Sequence, residues 1–110
     1  MKRTRVAAAL VFAVFGLAAI TLFATDPHPS ALFREYCAKC HGADGSGDTS
    51  LGRISNAPDF TDGGWWAKHP NTAERVNTIT RGKKSMPAFG KKLTKAQIAS
   101  LAAYVQRFKR

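Results

Sequence analysis

The sequence predicts a small all-α domain of about three to five helices, and three observations carry that expectation. Apolar residues recur at helical spacing in separate stretches, each opened by a residue that can accept hydrogen bonds from the first helical amides. Glycine- and proline-bearing loops separate those stretches. Around the only two cysteines no βαβ pattern is visible.

The first 24 residues are set apart from that domain. Lys2, Arg3 and Arg5 form a basic start, and from Val6 to Ala24 no charge occurs and only Gly16 and Thr21 interrupt the apolar run. Such a segment sends a chain across a membrane. Leu22-Phe23-Ala24 is a poor small-x-small cleavage site, and the apolar run reaches the lower end of a bilayer span, so residues 1–24 read equally as a signal peptide or a retained anchor. Residues 25–29, with Pro27 and Pro29 flanking His28, form a short stiff linker. Residues 30–110 remain as one domain, too small to bury a large core alone.

Ser30 is placed to cap a first helix through Leu32, Phe33 and Tyr36, which leads into Cys37-Ala-Lys-Cys40-His41. Two thiols at this spacing, followed at once by an imidazole, suit covalent haem attachment: the cysteines add across the two vinyl groups and the tether holds His41 against the iron. A thioredoxin-type redox pair wants a βαβ context. Zinc needs further ligands, and the spacing of His28, His41 and His69 fits no compact finger. Gly42 to Asp48 is glycine-rich and acidic but lacks the spacing and final Glu of a calcium loop, so it reads as a turn.

Ala57-Pro58-Asp59-Phe60 and the pair Trp65-Trp66 occupy the middle. A carbonyl in this loop is expected to accept the second ring N–H of His41, fixing its tautomer. The tryptophans read as core residues or as indole donors to a haem propionate. Asn71-Thr-Ala-Glu74 opens a second helix through Val76 and Ile79 that ends at Arg81-Gly82. Met86 follows in a proline-stiffened loop; the only other methionine is Met1, and a soft thioether suits low-spin haem iron opposite an imidazole. His28 and His69 are its rivals as sixth ligand. The last helix has a capping box, Thr94-Lys-Ala-Gln97, with Leu93 and Ile98 as a staple and Ile98, Leu101, Ala102, Val105 and Phe108 on one face.

Charge narrows the partners. Taking Lys2, Arg3 and Arg5 from the 17 basic residues leaves 14 against 7 acids, a net of +7 that two propionates lower to roughly +5. Nucleic acid is a poor partner for an exported chain; an acidic protein surface or an anionic membrane face fits better.

The run from Ser30 to Phe108 resembles the class I cytochrome c family. The likeness rests on Cys-Ala-Lys-Cys-His-Gly with Gly45 and Gly47 behind it, Pro58, Ile79 and Gly82 before Met86-Pro-Ala-Phe89, and the final Leu101 to Tyr104-Val105 helix. It implies a cytochrome c fold around one covalent haem c, with Cys37 and Cys40 as thioether sites and His41 and Met86 as iron ligands. It also implies that the Pro58 carbonyl partners the His41 ring and that Phe33 crosses Tyr104. The function expected is a periplasmic one-electron carrier, soluble or anchored to the inner membrane, with no small-molecule substrate at iron. Lys83, Lys84, Lys91, Lys92 and Lys95 bracket the Met86 loop as a basic collar for acidic redox partners. Two other readings are a haem enzyme or gas sensor with a displaceable sixth ligand, and a subunit feeding electrons between a dehydrogenase and an oxidase.

Overall fold

The computed structural model describes residues 9, 11–22 and 25–110. Lys2, Arg3, Arg5 and the Phe23-Ala24 end of the expected leader lie outside the described residues. Residues 11–22 are exposed and non-helical, and among the described residues no helix is long and apolar enough to cross a membrane.

Helix α1 (Pro29–Tyr36) begins at the last residue of the expected linker. Its cap is His28 rather than Ser30: the His28 Nδ1 accepts the Ser30 N–H at 3.2 Å, and Pro29 stands at the first helical position, where no N–H is needed. Leu32 and Phe33 face inward and are buried. At Cys37 the helix falters without turning away, since the Cys37 N–H bonds the Phe33 carbonyl and the His41 N–H bonds the Cys37 carbonyl, both at 2.9 Å. The short α2 (Ala38–His41) is therefore almost a continuation of α1.

Two helices appear where no periodicity could announce them, because each has only six residues. In α3 (Ser50–Ser55), capped by Thr49, Gly52 lies so close to the carbonyls of Cys40 and Gly47 that any side chain would overlap both; this contact seats α3 on α2. In α4 (Gly63–Lys68), capped by Asp62, the tryptophan pair is carried inward, Trp66 fully and Trp65 in part.

Helix α5 (Thr72–Arg81) is capped by Asn71, which accepts the Ala73 N–H at 2.8 Å. Glu74 does not close the reciprocal box; its carboxylate bonds His69 Nδ1 at 3.0 Å instead. Gly82 ends the helix at φ 73 and ψ 171, a positive φ as expected but with ψ extended beyond the left-handed helical value. Helix α6 (Lys95–Tyr104) has the full capping box: Thr94 Oγ1 accepts the Gln97 N–H at 3.1 Å and Gln97 Oε1 accepts the Thr94 N–H at 2.9 Å. Its apolar face continues through a 3-10 turn, Val105–Phe108.

Helix α6 packs against both α1 and α5. At the first crossing the Phe33 ring lies 5.4 Å from Tyr104, as expected, and also 5.2 Å from Phe108, so three aromatic rings lock the first and last helical segments of the domain together. Phe33 and Leu101 are each 1% exposed. The architecture is all-α, and the only strand-like feature among the described residues is one isolated bridge, Lys83 to Met86.

Candidate functional site

A cavity of about 590 Å³ opens between α1–α2, the Pro58 loop, α5 and the Met86 loop. That volume falls within the range of cofactor clefts. Cys37, Cys40, His41, Pro58 and Met86, spread over fifty positions of sequence, all border it, and Phe33, Ile79, Leu101 and Val105 give it apolar walls.

His41 ends α2, where Gly47 donates its N–H to the His41 carbonyl at 2.7 Å and so folds the glycine turn under the helix end. The imidazole is 9% exposed and stacks on Phe60 at 4.6 Å with planes 12° apart. Phe60 is itself fixed, since its N–H bonds the Gly45 carbonyl at 2.8 Å and its carbonyl accepts from Trp66 Nε1 at 2.7 Å. Burial pushes the His41 pKa below its ordinary value, favouring the neutral ring that a metal needs. Its Nδ1 is buried and has no hydrogen-bond partner. Burial, with the neighbouring Cys40 thiol, pushes the Cys37 thiol up to about 11, so at neutral pH it stays protonated.

The Met86 loop is shaped by its backbone. Lys83 and Met86 exchange N–H···O bonds at 3.1 and 2.9 Å across a tight turn, with Lys84 at φ 53. Beyond it, the Phe89 N–H bonds the Ile79 carbonyl and the Gly90 N–H bonds the Thr80 carbonyl, which returns the loop along the end of α5. The loop leaves Met86 partly buried at the cavity edge, packed against the core.

The other histidines are engaged elsewhere. His28 caps α1. His69 also borders the cavity, but its Nδ1 faces Glu74 and its ring stacks on Trp65 at 4.8 Å. The Trp66 indole N–H is taken by Phe60, so of the tryptophan pair only Trp65 borders the cavity. Sequence reasoning missed Arg75, which reaches the cavity wall from the inner side of α5; its place four residues before Ile79 was the available signal. Nothing in the local sequence announces that the Phe60 ring stacks on His41.

Two thiols, an imidazole with an orphaned buried nitrogen, a thioether and apolar walls are the donor set and surroundings a haem c requires. The profile of the family described as cytochrome c oxidase, cbb3-type, subunit III matches residues 24–105. The chain belongs to this family of monohaem cytochromes c. The CcoP subunit of the cbb3-type cytochrome c oxidase of Azospirillum brasilense is 40% identical over 75 residues, covering 67% of this chain and 25% of that protein. The chain thus spans about a quarter of the length of such CcoP relatives. Cytochrome c6 of Leptolyngbya boryana is 36% identical over 75 residues, 67% of this chain and 81% of its own length. A solved c-type cytochrome, KustC0563, superposes with a TM-score of 0.70 at 32% identity, covering 76% of this chain and all of that one. The cofactor of this cytochrome is a covalently bound haem c.

Proposed function

We propose that this cytochrome is a one-electron carrier in which His41 and Met86 would ligate the haem iron, Cys37 and Cys40 would form the thioethers, and the Pro58 carbonyl would accept the His41 Nδ1–H. The convergence of Cys37, Cys40, His41 and Met86 on one apolar-walled cavity carries this reading. The His41 Nδ1 is buried and makes no hydrogen bond in this structure, so the bond to Pro58 is itself part of the proposal. A ligating imidazole uses one nitrogen on the metal and donates the other N–H to a fixed acceptor, and Pro58 borders the same cavity. Haem c, when bound, supplies the ferrous–ferric couple.

The chain's own residues do the rest. Phe60 holds the His41 ring in one plane by stacking. The backbone turn at Lys83–Met86 fixes the loop that offers the thioether. Met86 is favoured over His69 because the His69 ring is already held between Glu74 and Trp65. With His41 and Met86 both holding the group, small-molecule binding at iron would be blocked, and electrons would pass through the cavity mouth. Lys83 and Lys84 stand exposed at that mouth, with Lys91, Lys92 and Lys95 beyond, as a collar for an acidic redox partner. The CcoP relatives are oxidase subunits by name, which supports a role delivering electrons within or to a respiratory oxidase. The apolar leader supports a periplasmic site of action, anchored or released.

The test is the visible spectrum of the oxidised protein, matured with haem. A weak near-red sulfur-to-iron band is expected in the wild type and absent in Met86→Ala. A wild type that lacks the band, looks high-spin and binds carbon monoxide rapidly when reduced would instead have an open sixth site, as the sensor or enzyme reading requires.

A further inference from the structure

Arg75 is a buried charge with no direct carboxylate partner, and Glu74 next to it acts on it only through space. It is 7% exposed, yet its three hydrogen bonds all go to neutral acceptors. Nε donates to the Ala102 carbonyl of α6 at 3.2 Å, Nη1 to the His69 carbonyl at 3.2 Å, and Nη2 to Thr72 Oγ1 at 2.8 Å. The guanidinium lies over the Trp66 ring, 5.0 Å from its centroid. Glu74, the adjacent acid, is turned to His69, and neither ion pair among the described residues, Arg53–Asp48 or His69–Glu74, includes Arg75. The same side chain borders the haem cavity.

We propose that Arg75 is a positioning and potential-setting residue whose buried charge, held by neutral acceptors rather than a direct carboxylate partner, raises the reduction potential of the haem. The oxidised haem carries one positive charge more than the reduced haem. A fixed cation in the cavity wall repels that extra charge and so favours the reduced state; in a low-dielectric wall the repulsion is several times stronger than in water, and salt screens it little. The fork also ties α6, the α4–α5 connection and the start of α5 together, and that strut role needs the hydrogen bonds. Charge separates the two roles, because a strut alone moves stability and leaves the potential where it is.

The inference rests on haem occupying this cavity, and the visible spectrum of every variant tests that premise separately from the potential. Two pairs of substitutions in the haem-loaded protein isolate the charge. Thr72 stands at the first position of α5, where an acid is favoured by the helix dipole, and its hydroxyl already accepts from Arg75. Thr72→Asp therefore places a carboxylate on the guanidinium without removing it, while Thr72→Asn is its uncharged counterpart. Arg75→Gln removes the charge and Arg75→Lys keeps it. Equilibrium redox titration is expected to give a lower midpoint potential for Thr72→Asp than for Thr72→Asn, and a lower one for Arg75→Gln than for Arg75→Lys. Equal potentials within either pair overturn the proposal. If Arg75→Gln fails to accumulate as folded holoprotein, Arg75→Met, which keeps the apolar stem over Trp66, is compared with Arg75→Lys in its place, and equal potentials there overturn the proposal.

Discussion

Gly82 answers two demands that no other residue meets together. Its φ of 73 lies where side chains are strained, and a Cβ there would stand 2.6 Å from the Met86 carbonyl oxygen and 2.9 Å from the Ala88 nitrogen. The residue that ends α5 therefore also sets where the Met86 loop starts. Gly82→Ala is expected to cost about 1–3 kcal/mol from backbone strain alone, read by guanidinium unfolding of the holoprotein. Because relief requires the loop to move, the same variant should lose part of the near-red band; full stability with an unchanged band would show that the loop has room the structure denies it. His41 is fixed by comparable means, with Phe60 against its face and the glycine turn beneath its carbonyl.

Among the elements, α6 is the best specified because its start is local. Both halves of the Thr94–Gln97 box form, and Leu93 and Ile98 beside it are buried. Thr94→Ala should lower stability by about 1 kcal/mol in urea unfolding, with the spectrum unchanged because α6 supplies no iron ligand. A loss of haem signal in that variant would mean that α6 positions the ligands more directly than its contacts with α1 and α5 suggest. The contrast with α5 is instructive: Asn71 caps it, but Glu74 leaves the box for His69. Local spacing predicts the box in both helices, and in α5 a tertiary neighbour wins. Similarly, α3 and α4 are too short to show a period and form because their caps and packing partners, Gly52 against the Cys40 and Gly47 carbonyls and Trp66 on Phe60, are supplied by the fold.

At the scale of the whole molecule, a small domain wraps its apolar side chains around a cofactor cavity rather than around each other alone. The domain remains basic, and its exposed Lys83 and Lys84 flank the opening. Opposite charge on a partner accelerates encounter by about 10-fold or more at low salt. The double variant Lys83→Glu/Lys84→Glu should slow electron exchange with an acidic redox protein by about that factor at low ionic strength, and the difference should shrink as salt is raised beyond about 0.5 M. Stopped-flow rates that do not change with ionic strength in the wild type would remove the collar from the mechanism.

The sequence alone determined what depends on nearest neighbours along the chain. The attachment motif at Cys37, Cys40 and His41 is legible because the haem itself dictates its spacing, and α5 and α6 are legible because caps and apolar periods are written within ten residues. Met86 and Pro58 became candidates through soft-ligand chemistry and family likeness, and only folding brought them to the same cavity as His41. Tertiary structure decided whatever depends on a distant partner: His28 in place of Ser30 as the cap of α1, Phe60 against His41, Phe108 joining the Phe33–Tyr104 crossing, and Arg75 buried without a direct ion-pair partner. The physical reason is range. Hydrogen bonds within a turn are fixed by spacing in sequence, whereas burial, stacking and the lack of an ion-pair partner depend on which remote segments exclude water together.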